Sequence, residues 1–301
     1  MVRMNDEHSA ARTHEVEIDN SNRSTTPSST RFLDFIMSEW AESPAVIPAA
    51  RVAAPFAAAR RAALSSQFPG QRMVIEAGSM KQRSNDTFFP FRAHSAFSHL
   101  TGWGADSEPG AVLVLDPTSG GHEATLYFRE RAGRDTEEVF QNSEIGAFWI
   151  GARPSLAQVA GDLGLPARSL AEFVATADDL TLANDELARA ASELRLVKDS
   201  YELTEMQAAV DATARGFDDV LAALGDAAAH PRGERVIEGA FHARARIDGN
   251  TVGYETIAAA GPHACTLHWI RNDGEVRDGD LLLLDAGIEL DSLYTADITR
   301  T

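Results

Sequence analysis

The last 21 residues, LLLLDAGIELDSLYTADITRT, constrain this chain more than any other stretch. An apolar run from Leu281 to Leu284 ends in Asp285, and a second β-like run presents Asp297. Asp291-Ser292 is the turn-like spot between them, and 291 is the midpoint of 285 and 297. A simple hairpin would therefore set Asp285 and Asp297 directly opposite each other. Opposed Cβ atoms lie about 4.5–5.5 Å apart, and like charges there are destabilising. Four leucines in a row read as a strand buried on both faces, which would place Asp285 in an apolar setting. Two facing carboxylates in such a setting need a proton or a cation between them. A divalent metal, or a pair of metals, is the economical answer. A turn cap and a solvated strand edge remain the simpler alternatives for the two aspartates.

Composition narrows the classes. A chain of 301 residues with 44% apolar residues can bury a sizeable core in two domains. No run approaches the roughly 18 apolar residues of a membrane span. The opening residues MVRMNDEHSAARTHEVEIDN have no apolar core and do not read as a secretory signal. A single Cys265 rules out an intrachain disulfide framework and suits the cytoplasm. A net charge of −18 repels nucleic acid and anionic membrane, so neither is an expected partner.

Residues 1–30 are polar, end in NSNRSTTPSST, and are expected to be a disordered tail. Phe32, Phe35, Ile36 and Trp40 recur at helical spacing, and the Ala/Arg-rich stretch 49–67 predicts another helix. MVIEAG, AVLVLDP (111–117) and ATLYFRE (124–130) predict strands, while SLAEFVATADD and NDELARAASELRL predict helices. Alternating strands and helices make the first half α/β. A long helix follows, with Ser200 as the expected N-cap and an apolar stripe from Leu203 to Leu224. A second helix is predicted over about 234–246, then β-runs in VGYETIAAAG and TLHWI. Helix, helix, then strands argue for α+β packing. The domain boundary is expected near 190–199, giving a tail of 1–30, a first domain of 31–193 and a second of 194–301.

His268, between Leu267 and Trp269, fits a satisfied core residue as well as a hydrogen-bond donor to a substrate. Tyr254 fits a half-buried strand tyrosine as well as a group that orients water. His263 reads as solvated, and Cys265 as a small core residue. No P-loop, GxSxG, GxGxxG or HExxH signature occurs, and GWGADSEPG does not lead into a helix of the required pattern.

DAGIELDSLYTADITRT resembles the first metal-ligand hairpin of the Xaa-Pro aminopeptidases (aminopeptidase P), which are pita-bread metallopeptidases. LHWIRNDGEVRDGDLLLLDAG and YETIAAAGPHACTLH are similar to the segments before it, with His268 at the family's active-site histidine and Tyr254 at its site-lining tyrosine. RSNDTFFPFRAHSAFSHLTGW, PGAVLVLDP and EVFQNSEIGAFWIGAR resemble the family's N-terminal domain. The resemblance runs from about Ala49 to Thr301. It implies an α/β N-terminal domain followed by the α+β pita-bread domain, and release of an N-terminal residue from peptides with proline second. It further implies two metal ions, commonly Mn²⁺, with Asp285 on one and Asp297 bridging both. A hydroxide between the metals would attack the scissile carbonyl while His268 steadies the substrate or the tetrahedral intermediate. In relatives the N-terminal domain also contributes to oligomer contacts, so a homo-oligomer is expected.

The remaining family ligands, one His and two Glu, come after the ADITRT segment, so the resemblance implies a C-terminally truncated chain with an incomplete site and little activity of its own. A prolidase acting on Xaa-Pro dipeptides, and a non-catalytic peptide-binding module on the same fold, stay open.

Overall fold

The computed structural model describes residues 29–41, 46–85, 87–133, 136 and 138–301. The tail expected over 1–30 therefore lies outside the described residues as far as 28. Ser29 and Thr30 already belong to structure: the Ser29 hydroxyl caps α1 (Thr30–Met37). Along the chain follow α2 (Ala54–Ser65), β1 (Met73–Glu76), β2 (Gln82–Ser84), β3 (Thr87–Phe88), α3 (Ser95–Thr101), β4 (Val112–Thr118) and β5 (Gly121–Phe128). Next come α4 (Glu138–Gln141), α5 (Ala147–Ile150), α6 (Leu156–Leu163), β6 (Ala167–Ser169) and α7 (Asp185–Glu193). The last third holds α8 (Ser200–Ala228), α9 (Gly233–Asp248), β7 (Thr251–Val252), β8 (Ile257–Ala260), β9 (Leu282–Ala286), β10 (Ile288–Glu289) and β11 (Ile298–Arg300). No helix among the described residues is long and apolar enough to cross a membrane.

The chain forms two compact units. The smaller consists of the described residues within 1–43, 82–88 and 132–153. It contains the β2–β3 hairpin, an edge-to-face pair of Phe32 and Phe140, and a 2.8 Å ion pair between Arg153 and Glu138. The larger unit holds everything else and carries the candidate site.

In the larger unit β1, β4, β5 and β6 form one sheet in that order. All pairs are antiparallel except β5 with β6, which is parallel. The run VLVL becomes a strand buried on both faces because its alternate side chains find different partners. Leu113 and Leu115 join Phe97, Trp103 and Phe128 in one core cluster, while Val112 and Val114 pack with Val74 and Tyr127 on the other face. Each fully buried leucine contributes about 1.5–3 kcal/mol. A separate cluster, with Val220, Ile237, Phe241, Leu284 and Ile288, lies between α8, α9 and the strands β9 and β10. The antiparallel sheet β8–β9–β11 covers that cluster. The first cluster draws on Leu64 to Ala191 and the second on Ala212 to Ile288, so α8 opens a new core.

Three local expectations are corrected. The N-cap of α8 is Asp199, not Ser200. Its carboxylate accepts from Glu202 N at 2.9 Å and from Arg60 Nη2 at 2.7 Å, and Glu202 Oε2 accepts from Asp199 N in return. This reciprocal capping box is anchored by a cation that a serine could not bind. The segment SLAEFVATADD is not a helix beyond one 3₁₀ turn at Leu170–Glu172. There the Asp179 carboxylate accepts from Thr176 N and Oγ1 and from Arg72, closing a side-chain turn that competes with helix. TLHWI is a turn and not a strand.

Two buried side chains explain that turn. Glu234, wholly buried, accepts from Ala260 N (2.8 Å), Gly274 N (2.7 Å) and Trp269 Nε1 (2.9 Å), and also bonds His263 Nδ1 (2.8 Å). Asn272, also wholly buried and at a left-handed φ of 47°, accepts from Ala258 N and donates to Glu238 and to the Thr256 carbonyl. Segment 261–274 is thus held by side chains of α9 and by β8 rather than by strand pairing. His263, expected to be solvated, is half-buried and stacked on Trp269 at 3.8 Å. Cys265, expected in the core, is exposed.

Glu202 is also buried, and it joins four elements: its carboxylate meets Tyr294 Oη at 2.9 Å, Arg60 at 3.7 Å and His99 at 3.3 Å. Glu202→Ala should lower stability by about 3 kcal/mol in urea unfolding, since it leaves Arg60 short of a buried partner. Glu202→Gln keeps the capping hydrogen bonds and should cost less. A second prediction concerns pH. Burial raises the Glu234 carboxyl, but its hydrogen bonds outweigh this and hold it below 4.5. A depressed folded value means the stabilisation is complete above about pH 4.5 and lost as pH falls through the folded value. Glu234→Gln should flatten that acid limb in denaturation curves, and an unchanged limb would contradict the anchoring role.

Candidate metal centre

Asp285 lies on β9 and Asp297 just before β11, but the two are not directly opposed. The register pairs Ile298 with Ala286 and Thr299 with Asp285, so the hairpin is centred on residue 292 and not 291. The cause is the turn. Leu290 N donates to Tyr294 O, Leu293 N donates to Leu290 O, and Leu293 takes a φ of 68°. This loop is one residue longer than a turn on Asp291-Ser292 alone. Asp297 is therefore diagonal to Asp285. A two-residue offset preserves the face, because strand side chains alternate with period two. Both carboxylates still project to the same side.

Their setting also differs from the apolar expectation. Asp285 is half-buried and Asp297 is exposed, while Leu281 is 69% exposed. Water reaches the pair, which reduces the repulsion that full burial would impose.

Tyr254 brings the two carboxylates into one site. Its Oη stands 2.6 Å from Asp285 Oδ1 and 3.0 Å from Asp297 Oδ1. Burial, then the two aspartates, raise its pKa far above the ordinary phenol value, so the hydroxyl stays protonated. A phenol has one proton to give. Three oxygens converge here, and the single hydroxyl proton can serve only one carboxylate at a time. That deficit is what a cation would relieve, and hard oxygen donors suit Mg²⁺, Mn²⁺ or Ca²⁺.

Two glycines permit this approach. A Cβ at Gly287, in DAG, would collide with the Ala296 carbonyl and touch the Tyr254 ring. A Cβ at Gly253 would run into the Thr295 side chain. Without them the bend between β7 and β8 that carries Tyr254 could not lie against the hairpin, where Gly253 N donates to Gly287 O at 2.8 Å.

His268 is exposed in the anchored turn before Trp269. Among the described residues no group of three or more His, Cys, Asp or Glu is placed to hold a metal, so His268 does not join the aspartates. Of the four residues singled out from the sequence, hydrogen bonds join Tyr254, Asp285 and Asp297, and His268 is not among them.

Sequence reasoning missed the groups that hold the hairpin. Glu289, buried, accepts from Arg92 Nε at 2.8 Å and from Asn250 Nδ2 at 3.1 Å. Ala105 N donates to Asp291 O at 2.7 Å, and Gly104 leaves room for that contact. Gly104 of GWGADSEPG thus serves packing against the hairpin tip. The available signal was charge: Glu289 interrupts an apolar strand, and Arg92 closes the NDTFFPFR motif.

Comparison with known proteins identifies both halves of the chain. A family model described as the aminopeptidase P N-terminal domain matches residues 57–187, and one described as metallopeptidase family M24 matches 204–301. Xaa-Pro aminopeptidase 1 of Streptomyces coelicolor is 49% identical over 267 residues, which covers 81% of this chain and 53% of that protein. Xaa-Pro aminopeptidase 2 of the same organism is 47% identical over 271 residues, covering 82% and 56%. The solved structure of E. coli aminopeptidase P with the inhibitor Pro-Leu superimposes with a TM-score of 0.66 at 25% identity, over 83% of this chain and 62% of that one. The chain spans about half the length of the curated relatives it matches. It joins an aminopeptidase P N-terminal domain to a stretch of the M24 metallopeptidase fold, and so belongs to the Xaa-Pro aminopeptidase family.

Proposed function

We propose that the protein is a metal-dependent aminopeptidase that releases the N-terminal residue from peptides with proline in second position. One observation carries this reading: a single phenolic proton lies between two carboxylates that share one strand face. The family implies divalent metal ions, and among them Mn²⁺ is our choice. Asp285 and Asp297 would hold the metal ions, which when bound supply Lewis acidity and an activated water.

The chain's own residues have separate tasks in this reading. Asp297, exposed at the rim, is the carboxylate that a substrate meets first. Tyr254, protonated throughout, donates a hydrogen bond and does not act as a base. That donation orients an oxygen near the carboxylates. His268, exposed on a turn held by Glu234, would in this reading donate a hydrogen bond to the carbonyl of a bound peptide. The two carboxylates alone fall short of the six or so oxygen donors that such ions take. The other positions are left for water, substrate and further protein groups.

Release of the first residue from an Xaa-Pro-Xaa peptide, followed with Mn²⁺ present and after chelation, tests the proposal. Asp297→Ala should lower kcat/KM by more than about 100-fold and weaken Mn²⁺ binding in calorimetry. An unchanged rate would sink the metal assignment. Tyr254→Phe removes only the hydroxyl and should cost about 10- to 100-fold with its fold intact. Equal rates for Tyr254→Phe and the unaltered protein would remove Tyr254 from the site.

A further inference from the structure

A second site lies on the other side of the hairpin tip. A cavity of about 270 Å³ opens where α3, the start of α8 and residues 292–294 meet. Its wall includes four cationic side chains, Arg60, Arg92, Arg195 and Lys198, in a protein of net charge −18. Two of them are compensated: Arg60 pairs with Asp199 and Glu202, and Arg92 with Glu289. Arg195 and Lys198 meet no carboxylate within 4 Å among the described residues. Arg195 donates only to the Ala191 carbonyl and the Ser192 hydroxyl, and Lys198 only to the Arg195 carbonyl. These contacts suit the negative end of α7, yet they leave three of the five guanidinium N–H groups and two ammonium N–H groups free.

The floor of the cavity supplies an independent observation. His99, whose side chain is only 4% exposed, lines it with no hydrogen-bond partner for Nδ1 or Nε2. Nε2 lies 3.3 Å from Glu202 Oε1 but lacks hydrogen-bond geometry. Burial, then Arg60, hold the imidazole down at about 4, so near neutral pH His99 offers one N–H donor and no charge. The neighbouring Ser98 Oγ is buried and equally unpartnered. Buried polar atoms are nearly always satisfied, and both of these residues line the cavity wall. Glu202, the acidic member of the wall, is already bound by Tyr294, Asp199 N and Arg60. Arg92 and Ser95 are exposed, so a solute can enter past them.

We propose that this cavity binds a small dianionic oxyanion, a phosphate or a dicarboxylate. Arg195 and Lys198 supply its counter-charge, and His99 and Ser98 donate hydrogen bonds. The volume suits an ion of that size with its waters. The inference does not depend on the peptidase reading, since no residue of the metal centre takes part.

The test is calorimetric titration of the whole chain, at constant low ionic strength, with inorganic phosphate, with succinate, and with chloride as control. Saturable one-to-one binding of phosphate or succinate is expected, at least tenfold weaker in the Arg195→Gln/Lys198→Gln double variant. Whichever titrant binds tighter identifies the oxyanion class. Thermal shifts provide a second measurement. Phosphate stabilises any folded protein somewhat by exclusion from its surface, so only a rise in Tm larger in the unaltered chain than in the double variant counts as support. Should the double variant misfold, Lys198→Gln alone replaces it, with a loss of at least threefold expected. No saturable binding of either oxyanion beyond chloride would overturn the proposal, as would equal affinity in unaltered and variant chains.

Discussion

A buried carboxylate holds the larger unit together where its two cores meet. Glu202 closes the first turn of α8 and also takes Tyr294 from the metal-ligand hairpin, Arg60 from α2 and His99 from α3. Four chain segments, spread from Arg60 to Tyr294 along the sequence, thus converge on one charged group, with the Arg60 guanidinium 3.7 Å from its carboxylate. Such a group is costly to bury unless every lone pair is used. Because Tyr294 Oη and Asp199 N both donate to it and Arg60 lies beside it, the packing of α2, the start of α8 and the hairpin tip are tied to one group. The position of Asp297 relative to Asp285 follows from where that tip is tied.

The same logic recurs at Glu234 and Glu289. Glu234 takes four hydrogen bonds and organises segment 261–274. Glu289 ties Arg92 of the first half to the strand beside the site. In an acidic protein most carboxylates face solvent, and three of those that do not serve as internal anchors. They hold loops where strand pairing cannot, which is how an irregular segment can present His268 on a defined turn. The candidate site needs this support because its own members, two carboxylates on one face, repel each other.

Much of the fold was legible in the sequence. VLVL and LLLL announced strands, the apolar stripe from Leu203 to Leu224 announced α8, and the DAG and ADITRT motifs announced the hairpin with its two aspartates. Periodicity and turn residues act over a few neighbours, and a linear reading can weigh them. The misreadings share a cause. Ser200 for Asp199 failed because Arg60 comes from 139 residues away. SLAEFVATADD failed as a helix because Asp179 is drawn to Arg72, 107 residues away. TLHWI failed as a strand because Glu234 and Asn272 had already claimed its backbone surroundings.

What the sequence by itself determined is the chemical inventory: two aspartates and a tyrosine at the spacing of a known ligand hairpin, on strands defined by local alternation. Tertiary structure alone decided their geometry. The turn at Leu290–Tyr294 moved the hairpin centre by one residue, and with it changed opposed carboxylates into diagonal ones joined by Tyr254 Oη. It also decided that Arg195, Lys198 and His99, unremarkable in sequence, share a cavity. Strand register and cavity charge depend on contacts between residues far apart in the chain, and local propensity carries no record of those.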